Sequence, residues 1–477
     1  PWELKLALVD LDAALGQNGE MIGAVLIVGG PEVVPFHNLP NPVDDSDIEV
    51  PSDNPYATRD ENYFIPEWPV GRLPGGNGNN PKLILQTLAR MEDYHTTQAT
   101  DPVWYQRGWQ MITKAISRLL PLRNSILPGV GYSAAIWRRA SLSVFRKVGD
   151  PRHLLISPPL QVEMNPDQPA NKDGKVKGVR LPAARLGYFN LHGLPDAEEW
   201  FGQRDPTEPG EEIDFPMALR PEDVGRSNGH PGSVPEVVFS EACYGASILS
   251  RQADQAICLR FLAKGSRAFI GSTVTSYGSI SSPLIAADLL GSAFWHLLRE
   301  GYPVGEALRR AKISLAREMH RRQGYLDGED QKTLISFICY GDPLAQTDGN
   351  RLGPKSVLRP DSLPAPVSTV CDKCLDPQSP DPIPEEVLSQ VKQVVSQYLP
   401  GMKGAHLVYS HEHAGCTSQD HRCPTAQMGT KSLPTTAPER QVVTLSKQFQ
   451  ANSHIHRQFA RLTLDAEGKL VKLVVSR

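Results

Sequence analysis

The 477-residue chain lacks any uninterrupted apolar run of the roughly 18 residues that a bilayer-crossing helix needs. Its most apolar stretches, such as Gly23 to Gly29, have the length of buried strands. It also lacks an excess of charge of one sign: 49 Lys and Arg against 53 Asp and Glu leave a net charge of -4. Neither a nucleic acid nor an anionic membrane is expected as a partner, since either calls for a strong basic surplus. Cysteine is sparse, with seven in the chain, which is no disulfide framework, and an odd count leaves at least one thiol unpaired if the others pair. The chain opens on Pro1-Trp2-Glu3-Leu4 with neither an initiator Met nor a charged and then apolar leader. The expectation is a chain cut at its start, in a reducing, cytoplasmic setting.

What is present is the composition of a folded protein, 40% apolar and 21% charged. That length exceeds the 250 to 300 residues at which one core usually stops growing, so more than one domain is expected. Ala24 to Val28 followed by Gly29-Gly30 reads as a strand and turn within a first α/β block, residues 1–100. From residue 101 to 345 strand-like and helix-like runs alternate, the pattern of a mostly parallel sheet. Strands are predicted at Trp109–Ile112, Leu154–Ile156, Leu186–Leu191, Glu236–Ser240, Ala268–Gly271 and Leu334–Cys339. Helices are predicted over Tyr132–Val148 and Ile248–Lys264, with two more across Leu284–Arg317. Residues 346–384 are rich in Pro, Ser and Asp and read as a linker. Residues 385–477 read as a small α+β domain: a helix over Glu385–Tyr398, then extended pieces with a turn at Asp465–Lys469.

The sharpest local signal is Val237-Val-Phe-Ser-Glu-Ala-Cys-Tyr-Gly245, an apolar strand that ends on Cys243. A second strand, Leu186 to Leu191, runs straight into His192-Gly193. Parallel sheets present functional groups at the carboxyl ends of their strands, so both side chains are expected at one rim. An imidazole there has the right basicity to deprotonate a thiol and later protonate a leaving amine. The main-chain N–H groups of Gly193 and Cys243 are the candidate oxyanion donors. Taken singly, a strand-end Cys is more often a small buried hydrophobe, and a His before Gly an ordinary turn residue. Their conjunction raises the odds: Glu241-Ala-Cys-Tyr-Gly245 lies about 50 residues downstream of His192, close to a known peptidase signature. Glu241, Thr273, Ser276 and Tyr277 are the candidate substrate-lining residues, with Glu198, Glu199 and Trp200 a weaker set.

These motifs resemble those of gingipain-type cysteine peptidases, relatives of the caspases, and similar motifs occur in CHAT domains. The likeness is carried by Leu26 to Pro35, Ser52 to Ala57, Pro69 to Pro74, Asn190-Leu-His-Gly193, Glu241 to Gly245 and Tyr340-Gly-Asp-Pro343, in the family's order. The resemblance implies a caspase-like three-layer α/β sandwich, preceded by a smaller α/β subdomain and followed by the small α+β domain. It also implies a cysteine endopeptidase with Cys243 as nucleophile, His192 as acid/base and no cofactor in catalysis. A protein or peptide substrate is then expected, with an activating or regulatory protein as a further partner. Gingipains place an acid before the His to select basic side chains, whereas Ala115 to Gly131 holds Arg118 and Arg123 and no acid, so the preference at that subsite stays open. The alternative function is a catalytically inactive caspase-like interaction module.

Cys371-Asp-Lys-Cys374 has the spacing of half a zinc site, and His411, His413, Cys416, His421 and Cys423 follow within a short span. No clean second half completes a standard finger. A structural zinc is the functional expectation for this cluster, and exposed linker thiols at Cys371 and Cys374 the bland one.

Overall fold

A computed structural model describes residues 1–76, 80–99, 126–159, 179–208, 213–226, 233–347, 368–372, 383–412, 428 and 440–477. The first block holds helix α1 (Trp2–Gln17) and strands β1 (Val25–Val28), β2 (His37–Pro40), β3 (Glu49–Ser52) and β4 (Val70–Leu73), then α2 (Lys82–Ala99). Next come β5 (Leu127–Ala134), α3 (Arg138–Phe145), β6 (Leu154–Ser157), β7 (Ala184–Asn190), β8 (His192–Gly193), β9 (Trp200–Phe201), β10 (Met217–Leu219) and β11 (Val237–Ser240). They are followed by α4 (Ile257–Lys264), β12 (Ala268–Ser272), β13 (Tyr277–Gly278), α5 (Ala286–Arg299), α6 (Val304–Gln323), α7 (Gly328–Ser336) and β14 (Phe337–Gly341). The chain finishes with α8 (Glu385–Tyr398), β15 (His406–Glu412), β16 (Arg440–Ala451), β17 (His454–Leu464) and β18 (Leu470–Ser476).

An eight-stranded sheet in the order β1-β4-β14-β12-β11-β7-β5-β6 forms the central layer. Its middle strands are apolar and buried on both faces, as Val237-Val-Phe-Ser240 illustrates, which is what helices on both sides require. On one face, Phe294, Trp295 and Leu298 of α5 and Leu308, Ala311 and Leu315 of α6 share a core with Phe239 and Ile270. On the other, Ile257, Leu259 and Phe261 of α4 pack with Phe189, Val238 and Phe269. The expected three-layer α/β sandwich is therefore present. Strands β5, β6, β7, β11 and β12 run parallel, whereas β14 pairs antiparallel with β12 and carries β4 and β1 in its own direction. The first block thus continues the central sheet, with its strands reversed relative to β5, β6, β7, β11 and β12.

Several predicted boundaries move, each for a local reason. The helix predicted from Tyr132 is a strand to Ala134, because this segment pairs on both sides, with β6 and β7, and the helix begins at Arg138. Helix α4 starts at Ile257 rather than near Ile248, after a turn in which Ser250 takes φ 57°. Strand β14 begins at Phe337, the preceding residues being α7 with Asp327 as its N-cap. Trp109–Ile112 lies outside the described residues.

The small α+β domain follows the expectation closely. Val387, Val391 and Val394 of α8 pack on Val443, Leu445, Ala460, Leu462 and Val475 of the sheet β18-β17-β16-β15. Strand β13 of the central domain adds to that sheet beside β18, joining the two domains. Within the expected linker, residues 368–372 are ordered onto the fold: Thr369 bridges Leu326, and Gln331 Nε2 donates to the Val370 carbonyl.

Candidate active site

Strands β7 and β11 are neighbours in parallel register, with Phe189 opposite Ser240, and the Glu241 N–H donates to the Phe189 carbonyl at 2.8 Å. His192 and Cys243 therefore leave the sheet side by side at its carboxyl rim. A Cβ on Gly193 would overlap the Cys243 carbonyl oxygen, so only glycine lets the His192 loop lie against the Cys243 loop. The turn after the cysteine is tight as well: Tyr244 has φ 54°, held by its N–H to the Val274 carbonyl and its hydroxyl to Asp47.

His192 is fully buried, packed against Trp137 and His456 at ring separations of 4.4 and 4.5 Å. Its Nε2 lies 2.8 Å from Gln203 Oε1, which accepts again from Gln458 Nε2 at 3.2 Å. An amide oxygen only accepts, so the proton sits on Nε2 and Nδ1 carries the lone pair. Nδ1 is buried and has no hydrogen-bond partner among the described residues, which leaves it free to take a proton. Burial, and then the nearby His456, hold the imidazole well below its ordinary basicity, so it is neutral.

Cys243 is 3% exposed, and its Sγ accepts from the Ser276 N–H at 3.1 Å. Burial pushes the thiol up to about 12, against the stabilising Ser276 N–H. The pair thus stands as thiol and neutral imidazole. The Arg477 N–H donates to the Ser276 carbonyl at 2.9 Å.

The other sequence-predicted residues fall into two groups. Ser276 touches Cys243 through its main chain, whereas the Tyr277 hydroxyl donates to Asp45 and the Glu241 carboxyl receives the Tyr188 hydroxyl at 2.8 Å. Thr273 is turned away, its hydroxyl bonded to the Pro51 carbonyl, and Trp200 is a core residue against Phe189. The metal cluster splits differently. Cys371 is buried rather than an exposed linker thiol, because residues 368–372 pack onto α7. Cys374, His413, Cys416, His421 and Cys423 lie outside the described residues, as do Arg118 and Arg123. Among the described residues, no group of three or more His, Cys, Asp or Glu side chains is placed to hold a metal.

Sequence reasoning missed Gln203, His456 and Trp137. They come from separate segments and carry no local pattern, so only the fold gathers them.

No protein-family model and no curated protein sequence matches this chain. A solved structure described as "Structure of Protease" aligns over 95% of this chain and 86% of its own, at 11% identity and a TM-score of 0.41. Among the described residues, no helix is long and apolar enough to cross a membrane.

Proposed function

We propose that this chain is a cysteine endopeptidase that cleaves peptide bonds through an acyl-enzyme, with Cys243 as nucleophile and His192 as acid and base. The reading rests on one observation: Cys243 and His192 leave adjacent strands at one rim, where Gly193 lies against the Cys243 carbonyl. Nδ1 of His192 takes the thiol proton as Sγ attacks the scissile carbonyl, and the N–H groups of Gly193 and Cys243 receive the developing oxyanion. The imidazolium then protonates the departing amine, leaving a thioester and a neutral base. Water, deprotonated by the same nitrogen, releases the acid and restores the thiol. No residue described here needs a metal or organic cofactor for these steps.

A second reading, an inactive interaction module, draws on the burial of both groups in un-ionised form. Turnover of a mixed peptide library by the intact protein and by Cys243→Ala decides between them. The expected result is hydrolysis that disappears in the variant and persists in Cys258→Ala. Equal hydrolysis by Cys243→Ala would remove Cys243 from the chemistry.

A further inference from the structure

The small domain's sheet is wider than the one helix that packs on it. A helix about 10 Å across spans roughly two strands at their spacing of about 4.8 Å. Helix α8 sends Val387, Val391 and Val394 into the core made with β16, β17 and β18, which leaves the edge strand β15 at the margin of its cover. At that margin a cavity of about 500 Å³ opens between α8, the turn Pro400–Met402 and strands β15 and β16. Its walls include Leu388, Val391, Val395, Met402, Leu407 and Leu445, all apolar. Leu388, Val395 and Leu407 are only partly covered by the protein itself. Lys447 Nζ on β16 donates to the Gly401 and Lys403 carbonyls at 2.6 and 2.8 Å, which ties the turn to the sheet and holds that wall in place.

The lining selects among occupants. The volume is that of a small-molecule site, which commonly runs from about 300 to 1,000 Å³. None of the side chains that line it is aromatic, so a flat ring finds no stacking partner. Its charged side chains are Lys392 on α8 and Lys403 after the turn, both exposed and with no ion-pair partner among the described residues, and no carboxylate lines it. Two ammonium groups at the mouth of an apolar slot fit a ligand with an aliphatic body and an anionic head.

We propose that this cavity binds a straight-chain carboxylate of the medium-chain fatty acid class, its tail between α8 and β15 and its head at Lys392 and Lys403. The site is independent of the peptidase reading, since none of its residues is among those around Cys243 and His192. Isothermal titration of the intact protein with octanoate, decanoate and dodecanoate, each below its micelle concentration, should show one saturable site that tightens about tenfold for each two added methylenes. Decyltrimethylammonium, with the same tail and the opposite charge, should bind at least about tenfold more weakly than decanoate. Lys392→Glu combined with Lys403→Glu should weaken decanoate by a similar factor, and Ala405→Trp, which fills the cavity, should abolish its binding. Circular dichroism and the melting temperature check that each variant is folded; should Ala405→Trp unfold, the exposed lysine pair carries the test. No saturable binding to the native chain, equal affinity for the cationic tail, or unchanged affinity in either folded variant overturns the proposal. Retention of the native chain on phosphatidylglycerol vesicles that dodecanoate does not compete away, lost in the lysine variant, would assign the two lysines to a lipid surface and overturn it as well.

Discussion

Gly193 carries more than its size suggests, because the absence of a side chain is what lets two reactive loops touch. Gly193→Ala is expected to push the Cys243 carbonyl aside, costing about 1–3 kcal/mol of stability and at least about a hundredfold in kcat. Denaturant unfolding and steady-state kinetics measure the two effects separately. Gln203 acts at one remove, as a positioning residue that fixes the His192 tautomer. Gln203→Leu should lower kcat by about tenfold to a hundredfold, a fraction of what general acid–base catalysis contributes. Gln203→Glu, by placing a carboxylate on Nε2, should raise the imidazole's basicity. The base works as the neutral form, so the acidic limb of the kcat/KM profile should move to higher pH. A purely structural Gln203 would lower activity without moving that limb.

At the scale of elements, the union of α7 with the small domain's sheet is ionic. Lys472 Nζ on β18 donates to both Asp327 oxygens at 2.8 and 2.6 Å and lies 3.3 Å from Asp330, while Arg461 on β17 binds Glu329 and Asp372. All of these groups are buried. Removing one partner strands the others, so Lys472→Met should destabilise by about 3–5 kcal/mol in denaturant titration. None of this was legible beforehand, since Asp327, Glu329 and Asp330 look like an ordinary polar helix start. The helices and strands themselves were legible wherever periodicity was long: α8 sits at the predicted residues, and β7, β11 and β12 within a residue or two. Short segments with competing signals, as at Tyr132 and Leu334, were decided by packing partners far along the chain. In the same way Cys243 and His192 stood out by motif and strand end, whereas Trp137, Gln203 and His456 became neighbours of His192 only through folding.

For the whole molecule, buried histidines set how stability follows pH. His456 is driven down to about 4 by burial, and His192 well below its ordinary value, so both resist protons that the unfolded chain would bind. Below about pH 6.5 the unfolded state takes up more protons, and their contribution to stability is lost as pH falls towards 4. Glu412, pushed up to about 8 by burial, works in the opposite sense over part of the same range, so the comparison must be between variants. His456→Gln should flatten the fall in unfolding free energy between pH 6.5 and 4.5 relative to the native chain. An unchanged slope would show that His456 titrates alike in both states.

The reversal of direction at β14 gives the molecule two unlike rims. The turn at Gly29-Gly30 after β1 opens away from Cys243, whereas the loop between β2 and β3 brings Asp45 and Asp47 to Tyr277 and Tyr244 beside it. A label, tether or fused module joined near residues 30–34 would accordingly ride on the opposite side of the sheet, leaving the rim that carries Cys243 and His192 open to whatever it meets.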